Sequence, residues 1–272
     1  MSQRQQIAAE HFDDASAYWN DIYEYADVLS VVHQERRAAI RNVVSGLRLP
    51  AGSRILDVGC GAGHTAIELA QMGYRVEAVD RSEKMVKNAL DNARRAGVAS
   101  RIRASQMDIH SLNQPAGCFN LVLSIGVLPW LDSLDAPLRS LSRVIAPGGY
   151  LITTIDHRWG LHRVLDIRSN PFVLGLKTAA RRALEAAGLR QRAARARTHS
   201  IRQLDAALRR AGLGKVGGAT LGFGPFTFWN QPLFSDGAGV SLHRRLQALA
   251  DAGRPILKTG GGQYIVWGCK PK

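Results

Sequence analysis

Three glycines at alternate positions follow an apolar run in the stretch Ile55–Ala70, ILDVGCGAGHTAIELA. They are Gly59, Gly61 and Gly63, and the residues after them have the composition of a helix. A strand that ends in such a turn and leads into a helix brings backbone N–H groups and a helix N-terminus close to a ligand. Side chains at the glycines would obstruct that approach or the dihedral angles of the turn. The stretch therefore predicts a nucleotide-binding turn.

Two carboxylates near the turn indicate which nucleotide it binds. The glycine spacing is G-x-G-x-G, not the G-x-G-x-x-G of dinucleotide folds, and Asp57 precedes it. Because a carboxylate repels a pyrophosphate, Asp57 favours a ligand that carries an ammonium and a sulfonium group, although it could instead cap the turn. Asp80 ends the next predicted strand, seventeen positions after Gly63, and is placed to accept hydrogen bonds from both ribose hydroxyls.

Strands alternate with helices from about residue 53 to residue 155. The predicted strands read SRILDVG, YRVEAVD, RIRASQMD, FNLVLSIG and PGGYLITTI. This alternation predicts βαβ units around a parallel sheet, and the apolar strand centres suit burial on both faces. Residues 11–47 are predicted to be helical, and a Ser-x-x-Gln capping pattern at Ser200 opens a further helix.

Five segments resemble, in order and spacing, the motifs of class I S-adenosylmethionine-dependent methyltransferases. They are ILDVGCGAG, AVDRS, QMDIHSL, FNLVLSIGVLPWL and LSRVIAPGGYLITT. The similarity is greatest to the small-molecule branch that includes ubiquinone-pathway O-methyltransferases; it is strong over about residues 50–155 and looser over the last seventy. It implies an α/β fold with a Rossmann-like, doubly wound, seven-stranded sheet and a helical cap. The sheet is mostly parallel, with the last strand antiparallel beside the fifth; Gln263–Lys270 fits that strand and Val216–Gly222 the sixth.

The resemblance also implies a cofactor, S-adenosyl-L-methionine, and the residues that bind it. Gly59, Gly61 and the adjoining backbone would hold the methionine part, with Asp57 near its ammonium group. Asp80 would hold the ribose. The other implied cofactor residues are Cys60 and Gly63 in the turn, Arg81 and Ser82 beside the adenosine, Met107, Asp108 and Ile109 at the adenine, and Ser124 and Ile125 along the cleft. Asp108 could instead be one of the acids that commonly end strands.

The acceptor side needs a residue that aligns the acceptor and, for a hydroxyl acceptor, a base. The candidate bases are Asp156, His157 and His162 after the fifth strand and His33 in the N-terminal helices. Histidine suits this role because its pKa lies near neutrality, although histidines on loops are often only solvated. Four aromatic residues are assigned to the substrate side, where they form a lid or simply bury the helical cap: Tyr18, Trp19, Tyr23 and Tyr25.

The charge distribution favours an anionic partner. The formal net charge is +14, and residues 156–215 alone hold 14 basic and 4 acidic residues. A local positive field of this kind attracts anions, although a solvated face is the alternative. We therefore expect an acceptor that is anionic, or that is presented by an anionic phospholipid surface or an acyl carrier protein, with Arg192, Arg195 and Arg197 as contacts.

Other features limit the class and location of the protein. No apolar run approaches the roughly 18 residues of a transmembrane segment, and the polar, acidic N-terminus is unlike a signal peptide. Three widely spaced cysteines predict a reduced protein without disulfides or a metal site. We expect a cytoplasmic protein that could act at a membrane surface. The predicted regions are an N-terminal helical cap (1–50), the cofactor-binding core (51–155), a basic helical substrate cap (156–199) and the C-terminal part of the sheet (200–272).

Two other functions compete with small-molecule methylation. The positive charge suggests an RNA methyltransferase, but the fourth strand ends SIGVLPW rather than in the Asn/Asp-Pro-Pro-aromatic sequence used on base amines, and no Pro-Cys nucleophile is present. No RNA-binding module is visible either, which argues against nucleic acid as a partner. The third function is a non-catalytic S-adenosylmethionine-binding protein, which the intact motifs argue against but do not exclude.

Overall fold

A mixed β-sheet with helices on both faces organises the part of the chain that this computed structural model describes, residues 3–173, 178, 184–185, 195–229 and 231–272. The helices are α1 (Gln3–Asp14), α2 (Ser16–Asp21), α3 (Val28–Leu47), α4 (His64–Gln71), α5 (Glu83–Arg95), α6 (Asp135–Val144), α7 (Leu161–Leu165), α8 (Ile201–Arg210) and α9 (Asp236–Asp251). The strands are β1 (Arg54–Val58), β2 (Arg75–Asp80), β3 (Ile102–Gln106), β4 (Phe119–Ser124), β5 (Ile145–His157), β6 (Thr198–His199), β7 (Gly214–Leu221), β8 (Thr227–Phe228), β9 (Gln231–Pro232) and β10 (Gln263–Cys269).

The strand order confirms the predicted sheet. It runs β3-β2-β1-β4-β5-β10-β7, and β10 is antiparallel to both of its neighbours while β1 to β5 are parallel. The carboxyl ends of β1, β2 and β4 therefore meet at one edge, where ligands bind in open α/β sheets.

β5 extends further than the sequence predicts. It ends at His157, because Asp156 pairs with Gln263 of β10 and both Asp156 and His157 pair with the short strand β6. The sequence places these two residues in a segment after the strand. They lie inside it instead, and their side chains consequently alternate between its two faces.

The core lies on both faces of the sheet. On one face, Leu138 of α6 and Leu204 of α8 are fully buried against strand residues. On the other, Ile40 and Val44 of α3 pack with α4 and the sheet centre at 1% and 0% exposure. Much of α3 thus belongs to the core that supports the site. The amphipathic pattern of α3 puts its apolar side chains on the face that packs there.

The aromatic stretch Phe223–Trp229 divides into two parts. Phe223 and Phe226 are buried with Ala250 of α9, so this part of the stretch is a packed connection. Phe228 and Trp229 are exposed.

Part of residues 156–215, including Arg192, lies outside the described residues. Arg197 is described and donates to the carbonyl of Asp132 at 2.8 Å. Within the described ranges, none of the helices combines the length and the apolar character needed to cross a bilayer.

Candidate active site

A cavity of about 390 Å³ opens at the carboxyl edge of the sheet. Its walls combine the turn after β1, the ends of the neighbouring strands and the N-terminal helices. The residues that line it include Asp57, Gly59, Cys60, Gly61, Asp80, Arg81, Ser82, Met107, Asp108, Ile109, Ile125, Gly126 and Val127 at or near the strand ends, Phe12, Trp19, Tyr23, Leu29, His33, Arg36 and Arg37 in the N-terminal region, and Trp130, Asp156 and Gln263.

Hydrogen bonds fix the glycine turn to β2. The N–H groups of Gly59 and Cys60 both donate to the carbonyl of Val79, at 2.7 and 3.1 Å. The N–H of Gly61 donates to Oδ2 of Asp80 at 2.9 Å. These hydrogen bonds therefore hold the turn in place without a ligand.

The three glycines serve different purposes. A Cβ atom on Gly59 would lie 2.2 Å from Cγ2 of Val127, and one on Gly63 would lie 2.8 Å from Cβ of Ala89. A Cβ atom on Gly61 would meet nothing within 4 Å. The sequence assigns all three to ligand approach or to the dihedral angles of the turn. The structure shows that packing requires glycine at Gly59 and Gly63, and that Gly63 begins α4 rather than lining the cavity.

Asp80 joins the turn to the start of α5. Its Oδ1 accepts a hydrogen bond from the N–H of Ser82 at 2.9 Å, in addition to the bond from Gly61. Ser82 is the N-cap of α5 and also donates its hydroxyl to Asp13 of α1. Burial raises the pKa of Asp80. The remaining lone pairs of this carboxylate are suited to ribose hydroxyls.

Asp57 is a buried carboxylate, and one of its oxygens has no hydrogen-bond partner among the described residues. The residue is 2% exposed, and its Oδ2 has no hydrogen-bond partner among the described residues. Burial, and secondarily the charge of Asp80, raise the pKa of Asp57 to about 7. An uncompensated carboxylate in such a place favours a cationic group beside it, which fits the ammonium of the implied cofactor.

The raised pKa predicts proton release when the cofactor binds. Below pH 7 Asp57 holds a proton, and the ammonium group favours the ionised form. We therefore expect S-adenosylhomocysteine affinity to fall about 10-fold from pH 8 to pH 6, with proton release in calorimetry in buffers of different ionisation enthalpy. Asp57→Asn should remove most of this dependence; an equal slope in that variant would contradict the assignment.

Asp57 also affects the free energy of unfolding, which should fall with rising pH, whereas cofactor affinity should rise. Its folded pKa exceeds its unfolded value, so the contribution of Asp57 is complete below about pH 4 and is lost as the pH rises through about 7. Without cofactor, the free energy of unfolding of wild type should therefore decline relative to that of Asp57→Asn over this range.

Asp108, which the resemblance places at the adenine, lines the cavity and also caps the short turn that follows it. Its Oδ1 accepts from the N–H of His110 at 2.8 Å, and its Oδ2 lies 3.8 Å from Nε of Arg81. Met107 and Ile109 flank it, and the N–H of Met107 donates to the carbonyl of Asp80 at 2.8 Å. Asp108 thus both caps a short turn and lines the cavity.

Ser124 does not line the cavity. It is fully buried at the end of β4, so the sheet encloses its side chain. The wall at this point is formed by Ile125, Gly126 and Val127, which follow the strand. The structure therefore gives no support to the assignment of Ser124 to the cleft, which stays a prediction.

The four candidate bases separate into two pairs. His33 and Asp156 line the cavity, whereas His157 and His162 do not. Neighbouring strand residues point to opposite faces, which accounts for the different positions of Asp156 and His157. His162 is packed against Gly262, and burial lowers its pKa to about 3. The geometry therefore gives no support to a role for His157 or His162 in proton transfer.

The helices α1 and α2, here called the lid, cover the cavity. Phe12 of the lid contacts Trp130 with ring centroids 4.9 Å apart, and His64 of α4 donates its Nε2–H to the carbonyl of Asn20 at 2.8 Å. Trp19 and Tyr23 line the cavity, whereas Tyr18 and Tyr25 stack on each other outside it and are exposed.

Sequence reasoning did not assign Phe12, Arg36, Arg37 or Trp130 to the site. Trp130 falls inside the FNLVLSIGVLPWL motif, which offered a signal. Arg36 and Arg37 appear in the sequence as ordinary charges of a helix. The residues present fit the implied cofactor, because the turn, the unpartnered oxygen of Asp57 and the strand-end carboxylate of Asp80 meet on one cavity.

This strand order, with a glycine turn hydrogen-bonded to Asp80 and with Asp57 buried just before the turn, defines the fold of a class I S-adenosylmethionine-dependent methyltransferase. A family model described as a methyltransferase domain matches residues 31–216. The match covers more than half of the chain, which therefore belongs to this family.

Relatives support this placement. A ubiquinone biosynthesis O-methyltransferase from Caulobacter sp. (strain K31) is 29% identical over 151 residues, 53% of this chain and 60% of that protein. A 27-O-demethylrifamycin SV methyltransferase from Amycolatopsis mediterranei is 32% identical over 136 residues, 49% of this chain and 47% of that protein. The matches thus span 60% or less of these relatives. A crystal structure of magnesium protoporphyrin IX methyltransferase from Synechocystis PCC 6803 with bound SAH shares the fold, at a TM-score of 0.64 and 18% identity over 98% of this chain and 100% of that one.

Proposed function

We propose that the protein methylates an oxygen atom of a small anionic molecule, with S-adenosylmethionine as the methyl donor. The observation that carries the proposal is a single cavity, with Asp57 and Asp80 at its cofactor end and His33, Arg36 and Asp156 also on its wall. The names of two relatives, a ubiquinone biosynthesis O-methyltransferase and a 27-O-demethylrifamycin methyltransferase, agree with oxygen as the acceptor atom.

The residues of the chain bind, orient and exclude water. When bound, S-adenosylmethionine supplies an activated methyl group on a sulfonium. Asp57 and Asp80 hold the ammonium and ribose ends of the cofactor. The aromatic side chains of Phe12, Trp19 and Trp130 cover the cavity and exclude water, which strengthens the electrostatic interactions inside it.

His33 is the residue that we propose to accept the proton of the acceptor hydroxyl. Its Nδ1 lies 2.8 Å from the carbonyl oxygen of Leu29. Because a carbonyl only accepts, Nδ1 carries the hydrogen and Nε2 retains its lone pair. Burial, and next the charge of Arg36, lower the pKa of His33 to about 4, so the ring is neutral at physiological pH but is a weaker base than an ordinary histidine. The alternative base, Asp156, is already 3.5 Å from Nη2 of Arg163.

Substitution of these two residues separates their roles. We expect His33→Ala to lower kcat about 100-fold with little change in S-adenosylhomocysteine affinity, because general-base catalysis typically contributes 10²–10⁴-fold. Asp156→Asn should have a smaller effect, and His110→Ala, an exposed histidine outside the cavity, should have none. Steady-state kinetics with an acceptor found by the screen described next provide the measurement. A larger loss in Asp156→Asn would move the base to Asp156.

A screen of acceptors tests the proposed function. Released S-adenosylhomocysteine is measured with carboxylated and phosphorylated phenols and alcohols, with matched amines, and with neutral counterparts. Turnover that prefers anionic hydroxyl compounds supports the proposal. Turnover only with amines would refute O-methylation, turnover only with RNA would favour the nucleic-acid alternative, and cofactor binding without any turnover would favour a non-catalytic binding protein.

A further inference from the structure

The first half of α3 presents two sets of side chains at helical spacing. One set lines the cavity: Leu29, His33, Arg36 and Ile40. The other set contacts α9 or the segment after β7: Val28, Val32 and Glu35. Glu35 follows His33 by two positions, which is about 200° around the helix axis. These two side chains therefore point to nearly opposite sides of α3.

Two of the contacts on the side of α9 are close and apolar. A Cβ atom on Gly239 of α9 would lie 2.8 Å from Cγ2 of Val28, and one on Gly222 would lie 2.8 Å from Cγ1 of Val32. These approaches keep α3 near its neighbours, but burial of apolar surface is not directional. They define the rotation of the helix about its axis less tightly than a hydrogen bond does.

His243 of α9 supplies a directional contact on the same side. Its side chain is fully buried, and its Nε2 donates a hydrogen bond to Oε2 of Glu35 at 2.8 Å. Its Nδ1 accepts from the N–H of Phe223 at 3.0 Å, so the ring hydrogen lies on Nε2 and points to Glu35. Arg244 of α9 also faces this carboxylate, with its Nε 3.7 Å from Oε1. His243 thus joins α3, α9 and the segment after β7.

The ring of His33 is fixed relative to its own helix. Its Nδ1–H donates to the carbonyl of Leu29, one turn earlier in α3, at 2.8 Å. The direction of the free Nε2 therefore depends on how α3 is rotated. A base must lie about 2.6–3.2 Å from the atom whose proton it accepts, so a small rotation of the helix is enough to impair the transfer.

We propose that His243 is a positioning residue for the methyl transfer, because through Glu35 it sets the rotation of α3 and so directs Nε2 of His33 at the acceptor hydroxyl. Neither His243 nor Glu35 lines the cavity, so neither touches the reacting atoms. The inference rests on the proposed function and deepens it by naming the residue that orients the proposed base.

The pKa of His33 reports its placement without any acceptor. Burial, and next the charge of Arg36, lower this pKa to about 4, while Asp27 acts in the opposite direction. NMR titration of the histidine side chains measures it, with the His33 signal identified by its absence from His33→Ala. In His243→Leu the hydrogen bond to Glu35 is lost, and we expect the pKa of His33 to rise by at least about one unit as the ring becomes more hydrated.

Two further variants test the same contact. Glu35→Leu removes the hydrogen bond from the α3 side, where the glutamate is partly exposed, and should also raise the pKa of His33. His243→Gln retains a donor and an acceptor in its side chain, so it should restore part of the wild-type behaviour.

Gln247→Leu is the matched control. Gln247 lies one turn further along α9, is buried, and forms hydrogen bonds with the N–H of Gly222 and the carbonyl of Thr220 rather than with α3. Thermal unfolding should show that it destabilises the protein as His243→Leu does. The pKa of His33 should nevertheless stay at its wild-type value.

Kinetics distinguishes the inference from the proposed function. With saturating S-adenosylmethionine and the acceptor that the screen identifies, His243→Leu should lower kcat about 10-fold and should have no further effect in the His33→Ala background. A pKa of His33 that is unchanged in His243→Leu and Glu35→Leu, or that rises equally in Gln247→Leu, would overturn the inference, as would a further loss of kcat in the double variant. Wild-type kcat in His33→Ala would instead refute the proposed base, whereas a pKa shift confined to His243→Leu and Glu35→Leu would still support the positioning of His33 through Glu35.

Discussion

Asp80→Ala is expected to weaken the binding of S-adenosylmethionine and S-adenosylhomocysteine at least 100-fold. Asp80 holds the turn through Gly61 and the start of α5 through Ser82. Its remaining lone pairs are the acceptors proposed for the two ribose hydroxyls. Hydrogen bonds to a charged group contribute about 1.5–3 kcal/mol each, so the loss of two predicts a change of this size.

Two further variants separate ligand contact from damage to the fold. Asp80→Asn keeps the shape but replaces one acceptor oxygen by a donor, so we expect an intermediate loss of affinity. Asp91→Ala removes an acid of α5 that pairs with Arg94 outside the cavity and should bind as wild type does. Calorimetry gives the affinities, and thermal unfolding shows whether each variant is folded. Wild-type affinity in a folded Asp80→Ala variant would refute the cofactor site.

Gly59→Ala is expected to destabilise the protein by about 2–5 kcal/mol and to reduce cofactor affinity strongly. The residue has φ of 75°, a conformation that costs roughly 1–2 kcal/mol for a residue with a Cβ atom. The added methyl group would also collide with Val127, and overpacking of this kind costs about 1–3 kcal/mol. Relief of the collision would displace the turn on which cofactor binding depends. Urea unfolding and calorimetry measure the two effects.

The chain offers a matched control for the backbone term. Gly52 has φ of 71° and nothing within 4 Å of the position of an added Cβ atom. Gly52→Ala should therefore show the conformational cost alone, about 1–2 kcal/mol, with cofactor affinity unchanged. Combining Gly59→Ala with Val127→Ala should recover part of the loss, because the colliding Cγ2 atom is removed. Equal destabilisation in Gly59→Ala and Gly52→Ala would show that the collision is unimportant.

The fold was predictable because its signals are local and repeated. Strands with apolar centres, helices between them and the glycine turn follow from patterns of a few residues, and the resemblance supplied the order of the strands, including antiparallel β10. Asp57 is the penultimate residue of β1 and Asp80 the last of β2, and neighbouring parallel strands bring their carboxyl ends together. Their closeness was therefore fixed once the strands were placed.

The acceptor side was predicted less well because it is not local. The extension of β5 depends on pairing with β10 and β6, which are distant in the sequence. The sequence predicts no strand at Asp156 and His157. It therefore does not predict that their side chains alternate, with Asp156 on the cavity and His157 away from it. The aromatic residues near the N-terminus divide for a similar reason. Tyr18 and Tyr25 have the same composition signal as Trp19 and Tyr23, but only the tertiary placement of α2 and of the turn after it decides which side chains face the cavity.

The sequence by itself determined the class of protein, the sheet and the positions of the two strand-end carboxylates, since these depend on short-range periodicity and spacing. The tertiary structure decided which charged side chains of the N-terminal helices line the cavity. Arg36 and His33 belong to a helix that precedes the first strand of the sheet, and they reach the cavity because the buried side of α3 packs onto the sheet. Packing between distant segments sets that contact, and no pattern of neighbouring residues encodes it.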